Sequence, residues 1–437
     1  MKQFFLIMLC SIWAVGAVAK VAEIETFTLE NGLEVAVIEN HKAPVVLQML
    51  YYKTGSANDP KGKGGIAHLL EHLMFRGTTQ VADKEFNRLT DLYGAENNAY
   101  TTYNETGYYE FADVSKLELM MALEADRMAN LDISEEAFAA ERNIVLEERM
   151  QRFESNPVPL FYETVLKLLW QDNPLGNPVS GSPAEIKALV SDDARAFYRK
   201  WYRPDNALLV LSGDISLKEA KVLAKKYYGG LEADAPLEQP VYAAGRAAET
   251  FVSMKLKGVE QPRYVSAVRL DAGVLTKKDV LALSLLAEYL AGDDTSFLYD
   301  KLVYQDKVLL AVAYNVAYDE KAGGAAVLYA TPADGRFGVE KLTGILKQET
   351  EAGVWALTAE KLEQIKNQSL SDVIYLQENP ESAARFAGGL LLLGYTPEEV
   401  ENYDAALKAV TLDDVRAAWQ KVLSSQTRVN AYLEQGE

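Results

Sequence analysis

The chain contains, inside a predicted helix over residues 66–75, the segment His68-Leu69-Leu70-Glu71-His72. Only three histidines occur in the sequence, and two of them stand here, four residues apart. Residues with this spacing lie on one face of a helix, close enough to hold a single metal ion. Glu71 projects toward the same face, whereas the third histidine, His41, lies in a polar loop and is predicted to be a surface residue. The segment therefore predicts a metal site built on one helix.

The chemistry of these side chains favours zinc. Neutral imidazoles are common zinc ligands, and a catalytic zinc ion usually keeps three protein ligands and one water molecule. A carboxylate that is not a ligand can take a proton from that water, which is the role we predict for Glu71. The order H-x-x-E-H is the inverzincin arrangement. The alternative is an amphipathic helix with an incidental glutamate, but the flanking segments Gly64-Gly65 and Arg76-Gly77-Thr78 favour the metal site.

An internal repeat divides the chain into two halves. A predicted strand that ends in glycine occupies residues 44–55, and a strand of equal length occupies residues 262–273. Nearly the same number of residues separates Asp192-Asp193-Ala194-Arg195-Ala196 from Asp413-Asp414-Val415-Arg416-Ala417. Each of these two segments begins a predicted helix that leads into a strand. Two matches at nearly the same spacing predict two similar domains of about 200 residues each.

The predicted fold is α+β, with two similar mixed α/β domains related by this repeat. In the first half, strands flank the turn Asn31-Gly32, and the long helical stretches include residues 134–153. We expect a catalytic zinc domain at residues 20–232, a linker at residues 233–246 and a homologous non-catalytic domain at residues 247–437.

Composition and the N-terminus limit the possible functions. The chain has 437 residues and a net charge of −19, which argues against a nucleic-acid binder. Residues 1–19 have the form of a bacterial export signal, with an apolar run that ends at Ala17-Val18-Ala19. Cleavage after Ala19 would give a periplasmic or secreted protein with no cysteine and no stable membrane span. An uncleaved N-terminal anchor is the alternative.

The segment from His68 to Thr78, HLLEHLMFRGT, resembles the pitrilysin/insulinase-type metallopeptidases. The likeness is greatest to their short two-domain branch, which includes the mitochondrial processing peptidases. Residues 94–101 are similar to the Gly-Gly…Asn-Ala-x-Thr strand of the family, and residues 202–207 to its Arg-Pro-x-Asn turn. The resemblance covers essentially the whole chain after the export signal. It implies a zinc metalloendopeptidase.

The resemblance also implies the remaining residues of the metal site. The family takes its third zinc ligand from a distant helix with the pattern Glu-Arg-x-x-x-x-x-Glu, which here occupies residues 141–148. Glu148 is then the metal ligand beside the two histidines, and Glu141 is the carboxylate that orients a ligand histidine. Glu147 points about a hundred degrees away from Glu148 on the helix and is the weaker candidate.

Substrate binding in the family occurs beside the segment that contains Asn98 and Ala99, where the substrate adds a strand to the sheet. This mode reads the backbone and implies peptides or unfolded polypeptide segments as substrates. Hydrolysis would then use a water molecule activated by zinc, with Glu71 as the general base.

The second domain is expected to lack a metal site. Its counterpart segment, residues 285–290, has no histidine, so one zinc ion per chain follows. Family members also hold the substrate with an arginine and a tyrosine of a second domain. Tyr314 is present here, but Asp306-Lys307-Val308 stands where related chains often have arginine. The incomplete pair predicts a homodimer or a heterodimer with a paralogous non-catalytic subunit.

Two rival interpretations remain beside the enzyme. One is a non-enzymatic partner subunit of the same fold, although such members typically lose the histidines or the glutamate. The other is an exported zinc-binding protein without turnover, which would not need Glu71.

Overall fold

The computed structural model describes residues 23–233, 237 and 242–436. The predicted export signal at residues 1–19 lies outside the described residues, and so do residues 234–236 and 238–241 of the predicted linker. No helix among the described residues has both the length and the apolar character that a membrane crossing requires.

The first half of the chain builds a mixed sheet of six strands. In spatial order the strands run β1-β2-β6-β3-β5-β4, and only β2 and β6 pair in parallel. Their bounds are β1 Glu25–Thr28, β2 Glu34–Glu39, β3 Val45–Tyr52, β4 Glu96–Thr101, β5 Thr106–Asp113 and β6 Ala207–Gly213.

The second half builds a sheet of five strands in the order β7-β11-β8-β10-β9, in which only β7 and β11 pair in parallel. This order and these directions repeat those of β2-β6-β3-β5-β4. The bounds are β7 Ala248–Leu256, β8 Arg263–Leu270, β9 Leu309–Asp319, β10 Gly323–Pro332 and β11 Thr427–Gln435. The prediction of two similar mixed α/β domains is therefore confirmed.

Each half also contains eight of the α-helices that the described residues form. Those of the first half are α1 Ile66–Leu73, α2 Glu85–Leu92, α3 Leu117–Asn130, α4 Glu135–Arg149, α5 Pro157–Trp170, α6 Pro183–Ala188, α7 Ser191–Trp201 and α8 Leu217–Tyr228. Those of the second half are α9 Lys277–Ala291, α10 Phe297–Tyr299, α11 Val339–Ala356, α12 Ala359–Leu376, α13 Pro380–Leu392, α14 Pro397–Glu401, α15 Tyr403–Lys408 and α16 Leu412–Ser424.

Local sequence signals explain where several elements begin and end. Asn31-Gly32 forms the predicted turn between β1 and β2, and Gly32 takes the positive φ of 88° that glycine tolerates best. Ser134 begins α4 by accepting a hydrogen bond from the backbone nitrogen of Ala137, as a capping serine does. The helix predicted over residues 134–153 changes character after Arg149, because Met150–Glu154 continues as a π-helical turn.

Each sheet is covered on one face by helices of its own half. In the first half, α1, α3, α4, α7 and α8 contribute buried side chains to one apolar cluster with the sheet, including Leu70, Phe138 and Trp201. In the second half, α9, α11, α12 and α16 form the equivalent cluster, including Leu286 and Trp419. This burial of apolar surface is the main stabilising contribution within each half.

The opposite face of each sheet is covered by a helix of the other half. Phe161 and Leu169 of α5 belong to one buried cluster with Val265 and Ala431 of the second sheet. Conversely, Ala384 and other small residues of α13 belong to a buried cluster with the first sheet. The two halves thus exchange one helix each, and neither sheet is enclosed by its own half alone.

Candidate metal centre

Helix α1 presents the predicted motif because its two faces differ. Leu69, Leu70 and Leu73 are buried in the core of the first half. The turn before the helix is held by Asp59, whose carboxylate accepts hydrogen bonds from the backbone nitrogens of Gly65 (2.7 Å) and Ala67 (3.1 Å). A carboxylate at a helix N-terminus satisfies free N–H groups and interacts favourably with the helix dipole.

The three predicted metal ligands come together between α1 and α4. One ligand atom from each of His68, His72 and Glu148 lies within 4.8 Å of the others. Oε2 of Glu148 is 3.5 Å from Nε2 of His72 and 3.9 Å from Nε2 of His68. Zinc holds nitrogen and oxygen ligands at about 2.0–2.2 Å, so atoms spaced in this way can share one ion. Two imidazoles and one carboxylate are also a donor set that zinc accepts.

Glu141 supports the second histidine. Its Oε2 lies 3.1 Å from Nδ1 of His72, and its Oε1 accepts a hydrogen bond of 2.6 Å from Nε of Arg76. A hydrogen on Nδ1 leaves Nε2 of His72 as the free lone pair toward Glu148 and the metal position. By contrast, Nδ1 of His68 is buried and has no hydrogen-bond partner among the described residues.

The environment assigns different charge states to these side chains. Burial and the neighbouring His72 lower the pKa of His68 to about 4. Burial would also lower the pKa of His72, but hydrogen bonds to Glu141 and Glu148 outweigh it and raise that pKa to about 9. The hydrogen bond from His72 holds the pKa of Glu148 below its ordinary value. Metal binding must therefore displace a proton from His72.

Glu71 is held from the side of the sheet. The hydroxyl of Thr101, the last residue of β4, donates a hydrogen bond of 2.6 Å to Oε2 of Glu71. Burial raises the pKa of the Glu71 carboxyl group above its ordinary value, and the bond from Thr101 opposes this rise. A carboxyl group with a raised pKa, fixed beside a metal position, suits general acid–base chemistry.

The other predicted site residues fall in two places. Asn98 and Ala99 lie on β4, at the edge of the first sheet, and the side chain of Asn98 accepts a hydrogen bond of 2.8 Å from the backbone nitrogen of Ala99. Tyr314 lies on β9 of the second sheet, 7% exposed, with its ring against Trp419. Tyr314 is not brought to the metal centre, and its role in substrate binding stays a prediction.

The sequence did not reveal the roles of three residues that support the site. Asp59 caps α1 from a preceding loop, Thr101 holds Glu71, and Arg152 pairs with Oε1 of Glu148 at 2.5 Å. Arg152 could have been found from spacing, because it follows Glu148 by one helical turn. Thr101 could have been found from the strand motif at residues 94–101, which it ends. His41 is exposed, as predicted, and contacts Asp214 and Glu39.

Known protein families match two successive parts of the chain. A family model described as "Insulinase (Peptidase family M16)" matches residues 34–182, and one described as "Peptidase M16 inactive domain" matches residues 188–369. The zinc protease PqqE of Helicobacter pylori is 27% identical over 374 residues, which cover 84% of this chain and 83% of that protein. A probable mitochondrial-processing peptidase subunit beta of Schizosaccharomyces pombe is 32% identical over 211 residues, or 48% of this chain and 46% of the relative.

Solved structures show the same fold. A protease from Helicobacter pylori superposes with a TM-score of 0.85 at 23% identity, covering 94% of this chain and all of that one. The periplasmic protease PqqL from Escherichia coli gives a TM-score of 0.77 at 18% identity, over 95% of this chain and 48% of its own. The cofactor is zinc, as the relatives named zinc proteases indicate, and His68, His72 and Glu148 form a possible site for it. The chain therefore belongs to peptidase family M16, the insulinase family, as a two-domain metallopeptidase.

Proposed function

We propose that the protein is an exported zinc metalloendopeptidase that hydrolyses peptides or unfolded polypeptide segments. One observation carries this proposal. Ligand atoms of His68, His72 and Glu148 lie within 4.8 Å of one another, and Glu71 is next to His72 on the helix that carries both histidines. A structural metal site has no use for such a carboxylate, whereas peptide hydrolysis needs a base at this position.

Each residue of the site would have its own role in peptide hydrolysis. Zinc, when bound by His68, His72 and Glu148, would polarise the scissile carbonyl and lower the pKa of a water molecule. Glu71 accepts the proton of the attacking water and can pass it to the leaving amine. Glu141 keeps His72 in the tautomer that leaves Nε2 free.

Edge strand β4 supplies a place for the substrate. Among the described residues it pairs only with β5, so its outer side can accept an extended peptide as a further strand. Asn98 and Ala99, in the middle of β4, would lie beside the peptide. The side chain of Asn98 now bonds to the nitrogen of Ala99, and an incoming peptide would take its place. Folded proteins do not offer free extended backbone, which favours peptides and unfolded segments.

Location and assembly are parts of the same proposal. Residues 1–19 would be removed on export, leaving a catalytic domain at residues 20–232 and a non-catalytic domain at residues 247–437. The similar fold of a protease described as periplasmic is compatible with this location. Assembly as a homodimer or with a paralogous non-catalytic subunit is compatible with relatives named as beta subunits of a processing peptidase.

Purified protein without residues 1–19 would be incubated with a mixture of short unstructured peptides and with a compact folded protein. We expect cleavage of the peptides only, loss of cleavage with a chelator and recovery with zinc. The Glu71→Gln variant should keep its zinc and lose hydrolysis. Zinc-loaded wild-type protein that cleaves no peptide, alone or with a paralogous subunit, would contradict the proposal and favour a binding role.

A further inference from the structure

Strand β4 has a different neighbour on each face. Successive side chains of a strand point to opposite faces of the sheet. Thr101 points toward α1 and donates its hydrogen bond to Glu71. Tyr100, the preceding residue, lies on the opposite face, where it packs against the apolar cluster that α13 of the second half shares with the first sheet. The strand that holds the proposed general base is thus also in contact with the other half of the molecule.

Arg385 of α13 makes this contact specific. Its guanidinium carbon lies 5.2 Å from the ring centre of Tyr100 and 4.8 Å from the ring centre of Tyr109 on β5. Cations in such positions are attracted to the faces of aromatic rings. Nε of Arg385 donates a hydrogen bond to Glu381, one helical turn earlier, which fixes the guanidinium. Tyr100 is held in turn by a hydrogen bond from its hydroxyl to Glu105.

The backbone of α13 also approaches the first sheet closely. A Cβ atom at Gly388 would come within 2.7 Å of the ring of Tyr51 on β3, so a larger residue there must shift either the buried ring or the helix. At the next position, Gly389, a Cβ atom would meet nothing within 4 Å. These adjacent glycines therefore offer a matched pair of substitutions, one that disturbs the contact and one that does not.

We infer that Arg385 is a positioning residue for hydrolysis, through which the non-catalytic half holds β4 and thereby fixes Thr101 against Glu71. The inference rests on the function proposed above for Glu71. An edge strand has hydrogen-bond partners along one side only, so β4 depends on contacts of its faces for a fixed position. The face toward α1 carries the catalytic contact, and the face toward α13 carries the support. Through Arg385, the second half would contribute to catalysis by way of β4, independently of any contact that Tyr314 makes with the substrate.

The first test compares α13 variants of the full chain. Arg385→Ala and Gly388→Ala should lower kcat by about 10- to 100-fold, because small displacements of a catalytic group have effects of that size. Both should keep one zinc ion per chain, since the metal ligands lie on α1 and α4. Hydrogen exchange of the backbone amides of β4 should become faster in both variants. Gly389→Ala should match the wild type in kcat and exchange.

The second test asks whether Arg385 acts through Thr101. Thr101→Ser keeps the hydroxyl and should retain most of kcat, whereas Thr101→Val should lose it about as far as Arg385→Ala does. In the Thr101→Val variant, Arg385→Ala should have little further effect on kcat, because both substitutions remove the same support of Glu71 by Thr101. Fully additive losses, or β4 exchange unchanged in Arg385→Ala and Gly388→Ala, would overturn the inference. If wild-type protein proves inactive, the proposed function fails, but the exchange measurement still decides whether α13 holds β4.

Discussion

The two halves share a strand order, but their first long helices differ. Helix α1 buries one face and leaves His68, Glu71 and His72 partly accessible beside α4 and the short strand β4. Helix α9, its counterpart, is buried on nearly all sides by β9, α12 and α16. Strand β9 has 11 residues where β4 has 6, and it extends along α9. A metal site on a helix needs one accessible helix face, and in the second half the corresponding face of α9 is buried by apolar side chains.

The comparison separates what maintains the fold from what performs the chemistry. The second half keeps the strand order with Leu286 and Tyr289 in the region that corresponds to the motif, and both are buried. Buried core positions accept different residues as long as the side-chain volume and apolar character are kept. Metal-binding positions do not accept such replacements, because the metal needs particular donor atoms. Substitutions in the two halves should therefore have unequal effects on activity and similar effects on stability.

The largest difference is expected between two glutamates, one on each of these helices. Glu71→Gln should lower peptide hydrolysis by about 10²- to 10⁴-fold, because a general base contributes about that much. Glu288→Gln on α9 should leave hydrolysis unchanged. Rates would be measured at saturating substrate, with zinc content determined on the same samples. A comparable loss in Glu288→Gln would remove the functional distinction between the halves.

Because α5 and α13 each pack on the sheet of the other half, we expect the two halves to unfold together. Phe161→Ala in α5 should lower the free energy of unfolding by about 3–5 kcal/mol, because a fully buried phenylalanine leaves a cavity. The change lies in the first half, but the lost contacts are with the second sheet. Leu168→Ala, on the exposed side of α5, should have a smaller effect. Urea unfolding of the full chain should show one transition, and two transitions of which only one shifts would count against the exchange.

Zinc affinity should depend on the carboxylate that orients His72. Glu141→Gln should weaken zinc binding by about 10- to 100-fold, the usual effect of removing such a partner. Glu136→Gln, at the exposed start of α4, is the control and should bind zinc as the wild type does. Competition with a chromogenic chelator would measure both constants. Equal affinities in the two variants would show that Glu141 does not support the ligand.

The smallest effect is expected at the remaining histidine, His41, which is exposed. Its hydrogen bond to Asp214, and then that to Glu39, raise the pKa of His41 above its ordinary value of 6.5. Because the folded-state pKa is raised, the pair stabilises the protein below pH 6.5, and this contribution disappears as the pH rises through the folded-state pKa. An NMR titration should show a lower pKa for His41 in Asp214→Asn. An unchanged pKa would mean that the pair does not persist in solution.

Features encoded by short spacings could be predicted from the sequence. The turn at Asn31-Gly32, the start of α4 and the start of α1 at Ile66 follow from local capping and periodicity, although α1 ends at Leu73, two residues before the predicted end. The position of Glu148 beside the histidines could not be predicted in this way, because the sequence of residues 141–148 does not determine which distant helix they contact. The resemblance to a family supplied that information, and the described geometry is compatible with it.

Features that depend on distant packing could not be predicted. Apolar residues of α5 indicate a buried helix, but the pattern is the same whichever sheet covers them. Asp59 lies in a loop, where a capping carboxylate cannot be told from a solvated one. The expectation for Tyr314 relied on a motif alignment, whereas the face of the strand on which its ring lies depends on the register of β9.

The exchange of helices also sets an order of events during synthesis. Strand β6 completes the first sheet at Gly213, but the helix that covers this sheet ends at Leu392, roughly 180 residues later. At typical rates of translation this interval is about 10–35 s. During that time the apolar face that contains Met49 and Val210 has no cover from its own half. Exposed apolar surface promotes aggregation, so a first half made without α13 should aggregate more readily than the full chain.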